Sequence, residues 1–220
     1  AQAQRREEAL GFYQQALRLR PDDTSALNDL GNLLVLLDRP AEALPLFERA
    51  LQVKPDFVDG LSNYGNALRA LGRGDEALAH FRRAVALDPK HAEARNNLGS
   101  ELAERGQEAE AIEQYEAALR LNPRHAGAQD NLGNTLRRLG RIEEAIARHR
   151  EALRLRPDFA EAHANLGRAL AAFGRMDEAR PHFERALALK PAFVIARTHY
   201  AHALAAAGQP AAALAQLEQS

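Results

Sequence analysis

A chain of 220 residues, 46% hydrophobic and 27% charged, is long enough to bury an extended core. Its net charge of −1 leaves no basic stripe for neutralising phosphates, so nucleic acid is not an expected partner. No apolar run approaches the roughly 20 residues of a membrane span, so neither is a membrane. The absence of cysteine fits a reducing, cytoplasmic setting, and 26 arginines against 3 lysines is a bias common in GC-rich bacterial genomes.

Residues 1–23 predict a single helix that closes at Pro21. That proline is the first of six, Pro21, Pro55, Pro89, Pro123, Pro157 and Pro191, spaced 34 residues apart without a slip. A strict period of this length marks a stacked helical array whose units cannot bury their apolar faces alone. Residues 24–57 predict the first complete unit. Leu30, Leu33, Leu34 and Leu37 give helical spacing, and a second helix opens at Pro40, where a missing N–H is harmless. Residues 58–91 repeat the plan, with Gly72 as the left-handed helix stop and a buried stripe of Ala77, Leu78, Phe81, Ala84 and Val85. Residues 92–125, 126–159 and 160–193 follow in phase through Gly106, Gly140 and Gly174. Residues 194–220 predict a sixth pair, with Gly208 and Pro210, that stops before its own proline.

Between the prolines recur Gly31, Gly65, Gly99, Gly133 and Gly167, then Ala43, Ala77, Ala111, Ala145, Ala179 and Ala213. An aromatic usually follows, as Phe47, Phe81, Tyr115 and Phe183, with His149 in the fourth unit as an expected core imidazole. This pattern resembles the tetratricopeptide repeat. The resemblance implies an all-α fold, a right-handed α-solenoid or superhelix of 34-residue antiparallel helix pairs, forming one array over residues 1–220. Residues 1–23 would be an orphan second helix and 194–220 a truncated repeat. Neither end carries a polar capping repeat, so the chain reads as a fragment of a longer array or of a larger protein, and its open ends are expected to self-associate.

Residues four, seven, eight and eleven past each proline share a face opposite the core stripe, and stacking turns that face into a groove. Eight past come Asp29, Asn63, Asn97, Asn131, Asn165 and His199. Eleven past come Asn32, Asn66, Ser100, Asn134, Arg168 and His202. Asparagine inside a helix costs up to roughly 0.7 kcal/mol against alanine, so a row of four calls for an offsetting use. A carboxamide matches both halves of a peptide unit, and an asparagine ladder is therefore expected to hold an extended peptide or protein segment by its backbone. The competing reading is that these amides brace neighbouring helices.

Groove charges run from acidic, with Asp29, Asp59, Glu93 and Glu104 against Arg69, to mildly basic, with Arg137, Arg138 and Arg168 against Asp130 and Glu161. His199 and His202, one turn apart, read as exposed helix histidines rather than metal ligands. With four serines, no G-x-S-x-G and no phosphate loop, neither a catalytic centre nor a cofactor is expected. Segments such as NNLGSELAERG and DNLGNTLRRLG also resemble the repeat arms of O-GlcNAc transferases. That resemblance implies a second function, a substrate-recognition arm in which Asn63, Asn97, Asn131 and Asn165 guide a protein substrate. A self-assembling structural array is the third.

Overall fold

The computed structural model describes residues 2–218, and side chains from residue 8 onward; residues 1, 219 and 220, at the outer bounds of the expected segments, lie outside the described residues. Thirteen helices make up the described chain: α1 Gln2–Leu19, α2 Thr24–Leu36, α3 Pro40–Val53, α4 Val58–Ala70, α5 Gly74–Leu87, α6 Ala92–Glu104, α7 Glu108–Leu121, α8 Ala126–Arg138, α9 Ile142–Leu155, α10 Ala160–Ala172, α11 Met176–Leu189, α12 Val194–Ala206 and α13 Pro210–Leu217. They form two compact units, Ala1–Glu110 and Ala111–Ser220.

Local chemistry sets the helix ends. Gly72, Gly106, Gly140, Gly174 and Gly208 adopt φ of 73–80°, the left-handed conformation that stops a helix at little steric cost. Asp38 takes that role between α2 and α3 with φ of 60°. Pro40 and Pro210 open α3 and α13 at the first turn. Asp23 caps α2 by accepting from the Ala26 N–H, and the imidazoles of His91 and His125 cap α6 and α8 in the same way.

In the first unit, α2 pairs with α3 and α4 with α5. Phe47 and Phe81 are fully buried, each ring lying so close to the paired helix that a Cβ on Gly31 or Gly65 would sit 2.6 Å away. Tyr64 packs on Phe47 with centroids 6.1 Å apart, and its hydroxyl donates to Glu48 at 2.7 Å. In the second unit the pairs are α8 with α9, α10 with α11 and α12 with α13. His149 lies under Gly133 as the aromatics do elsewhere, and Phe183 stacks on Tyr200 at 5.0 Å.

The layering within each unit is asymmetric. First helices approach the next first helix closely, α2 to α4 to α6 and α8 to α10 to α12, whereas successive second helices make no such close backbone approach among the described residues and are joined by surface ion pairs, Arg82 with Glu110 and Arg150 with Glu178. Each unit is therefore tighter along its first helices, the inner side of a curve. That side carries the polar rows read from the sequence.

Candidate functional site in the rows on the first helices

The first row lies where adjacent first helices meet. In the first unit, Asn63 of α4 donates Nδ2–H to Oδ1 of the buried Asn28 on α2 at 2.8 Å. In the second, Asn165 of α10 donates Nδ2–H to Oδ2 of Asp130 on α8 at 2.9 Å. One N–H of each amide is thus committed to bracing, the competing reading of the sequence. Asn97 on α6 is buried and its Nδ2 has no partner among the described residues. Asn131 on α8 is half-buried, and Asp29 on α2 is exposed.

The second row gathers around Arg168. Its Nη2 donates to Oδ1 of Asn134 on α8 at 2.9 Å and lies 3.4 Å from Oδ1 of Asn165. Its Nη1 lies 3.3 Å from Nε2 of His199 on α12. One guanidinium therefore links three successive first helices. Asn32 and Asn66 of the first unit are half-buried, and Asn66 Oδ1 accepts from Arg69 at 3.1 Å. Arg168, His199 and His202 border a cleft of about 370 Å³ between α10 and α12, otherwise lined by small apolar residues such as Ala171, Ala203 and Ala206, with Met176 at its edge. Of the residues picked from sequence, the structure joins Asn134, Asn165 and His199 through Arg168, and Arg168, His199 and His202 line this cleft. The first-unit residues form a separate group.

Charge in the cleft is one-sided. Asp130 is buried, and both its oxygens are occupied: Oδ1 by Nδ1–H of His149 at 2.7 Å and Oδ2 by Asn165. Glu161, the other acid read as facing the arginines, is paired with Lys190. Among the described residues Arg168 has no salt-bridge partner, and the buried Nε atoms of Arg168 and Arg137 have no acceptor. Burial, reinforced by nearby Arg137 and opposed by Asp130, lowers the Arg168 pKa to about 10, so the guanidinium stays charged at neutral pH. Burial, then Arg168, Arg137 and His202, pushes His199 down to about 4 and leaves it neutral. A cation 3.3 Å from Nε2 is unfavourable to a metal there, and the described residues hold no cluster of three or more metal-ligating side chains.

Sequence reasoning missed the Asp130–His149 pair. The signal was present: the one unit with histidine in place of the aromatic is also the one with aspartate at position 130, where the other first helices carry Asn28, Ser62, Asn96, Ala164 and Thr198. Read together, the two substitutions announce a buried hydrogen bond. No described helix is long and apolar enough to cross a membrane.

Three family models described as tetratricopeptide repeat match the chain, over residues 1–56 with 131–192, 58–124 and 170–220. No curated protein matches by sequence. Among solved structures, TTC0263, a thermophilic TPR protein of Thermus thermophilus, is 31% identical with a TM-score of 0.72, over 83% of this chain and 99% of that one. YrrB, described as a TPR protein with an unusual peptide-binding site, is 21% identical with a TM-score of 0.57, over 84% and 95%. A chain of the APC/C hetero-tetramer Cut9-Hcn1 is 18% identical with a TM-score of 0.89; the match covers 97% of this chain and 42% of that one, so this chain spans less than half its length. At those identities the last two show the fold alone. The matched family models together with the 34-residue helix pairs place this chain in the tetratricopeptide repeat family, whose stacked helices form a scaffold suited to protein–protein interaction.

Proposed function

We propose that the protein binds an extended segment of another protein along the first-helix face, by contact and without catalysis. The observation that carries this reading is the Arg168 network, in which polar groups from α8 and α12 converge on the Arg168 guanidinium at the edge of one cleft, with Arg168 Nε and His199 Nδ1 left without partners among the described residues. Polar side chains gathered at a concave surface fit a guest better than they fit a purely structural joint. Asn32, Asn66 and Asn134 present carboxamides beside the bracing row, and Asn63 and Asn165 each keep a second N–H for the guest. YrrB, of the same fold, is described as having a peptide-binding site.

At about 0.5–1.5 kcal/mol net per hydrogen bond, and with a flexible segment to be ordered, a few amide contacts give micromolar affinity at best. The test is calorimetric titration with a peptide selected from a random library on the wild-type protein. Replacing Asn134 and His202 together with alanine is expected to weaken binding about tenfold or more, with cooperative unfolding retained. An unchanged Kd would contradict the reading.

A further inference from the structure

We propose that the cleft between α10 and α12 receives the side-chain carboxylate of an acidic residue within the bound segment, its charge on Arg168 and its aliphatic stem on the alanine floor. The inference rests on the groove reading above and adds the chemical class of residue that anchors there.

Three observations carry it. The first is an uncompensated cation: Arg168 is half-buried, and its contacts run to the neutral acceptors Asn134, Asn165 and His199. A guanidinium that has lost part of its hydration gains most from a carboxylate, which accepts charge-assisted hydrogen bonds about twice as strong as those to neutral partners. Nη1, held only by a long 3.3 Å contact, is the donor that yields first.

The second concerns the one acid close enough to influence Arg168. Asp130 attracts Arg168 through space, but both its oxygens are engaged by His149 and Asn165, so the direct ion pair at the guanidinium is left unmade. The fold holds this carboxylate beside the arginine yet turns both its oxygens to other donors. His199 is lowered first by burial and then by the positive charge of Arg168, with smaller contributions from Arg137 and His202.

The third is shape. The floor of Ala171, Ala203 and Ala206 is apolar and without bulk, and the cleft of about 370 Å³ lies at the small end of ligand sites, which run from about 300 to 1,000 Å³. It suits one side chain with a short methylene stem. Asn134 and Asn165 lie on the adjoining α8 and α10, so a segment lying along them passes the cleft rather than ending in it, which favours an internal acidic side chain over a chain terminus.

The test is an NMR titration at pH 7 and low salt with three probes. These are an acetylated, amidated alanine–serine octapeptide with one central glutamate, its glutamine twin, and the glutamine peptide with a free C-terminal carboxylate. The glutamate peptide is expected to bind about tenfold or more tighter than its twin and to shift the imidazole signals of His199 and His202. Arg168→Gln is expected to erase the preference and Arg168→Lys to restore part of it, with melting followed by circular dichroism as the folding control. If Arg168→Gln does not fold, the wild-type comparison and Arg168→Lys decide.

Equal affinity for glutamate and glutamine, a preference that survives Arg168→Gln, or a preference that follows the free terminus would overturn the inference. Side-chain amide signals of Asn131, Asn134 and Asn165 report on the groove separately. If both blocked peptides move them without preference, the groove reading stands and the carboxylate site falls. If neither peptide moves any signal, both fall.

Discussion

Asn165 donates to Asp130 across two helices that are neighbours in space but 35 residues apart in sequence, and closes a chain of contacts running from the buried His149 to Arg168 at the cleft. Deleting the amide leaves a buried carboxylate oxygen without its donor, a loss of about 1–3 kcal/mol. Asn165→Ala is therefore expected to lower unfolding free energy by that amount in urea titrations. Asn63→Ala, which removes a neutral bridge to Asn28, is expected to cost less, about 1 kcal/mol. Equal stability of Asn165→Ala and wild type would show that the bridge carries nothing.

The glycines under the aromatics offer a test of packing with a sign to decide. Alanine gains about 1 kcal/mol over glycine in a helix, but at Gly65 a Cβ would meet the buried Phe81 ring at 2.6 Å, and overpacking costs about 1–3 kcal/mol or more. At Gly167 the nearest Phe183 atoms lie at 3.1 Å, a contact that a shift of a few tenths of an ångström relieves. Gly65→Ala is expected to lower the melting temperature clearly and Gly167→Ala to change it little. The reverse order would contradict the packing account.

Titration of His199 links the cleft to folding. Its folded pKa of about 4 lies below the unfolded value of 6.5, so the unfolded chain binds more protons between those values. Its contribution is fully present above pH 6.5, falls as the pH drops through the interval, and levels off below about 4. His80, His163 and His182 are also depressed, chiefly by burial, and act in the same direction. Denaturation of His199→Gln between pH 7 and 5 is expected to show a shallower loss of stability than wild type. A direct check is the His199 signal itself, whose pKa is expected to rise in Arg168→Gln because a major opposing charge is removed. A His199 pKa near 6.5 in the wild type would contradict the electrostatic picture.

Much of this was legible because repetition repeats its physics. The prolines, the helix-stopping glycines and the aromatic over glycine recur at a fixed pitch, and each imposes the same geometry wherever it falls. Asp38 was not legible as a helix stop, since only its place in phase with Gly72 and Gly106 reveals the left-handed residue. The polar row was legible as a face but not in its hydrogen bonding. An asparagine's spacing tells which side of a helix it occupies, whereas whether it braces or binds depends on the partner one repeat away, Asn28 for Asn63 and Asp130 for Asn165. Arg168 was read as one groove charge among several. Its isolation emerges only once Asp130 and Glu161 are seen to be held elsewhere.

The central claim is that the first-helix face grips another chain. It is tested most directly by selecting phage-displayed random peptides on the intact protein and mapping the enriched sequence by backbone and side-chain chemical shifts. The account predicts that the shifts concentrate on Asn134, Asn165, Arg168 and His202. Shifts confined to the outer faces of the second helices, with those four residues unmoved, would contradict it.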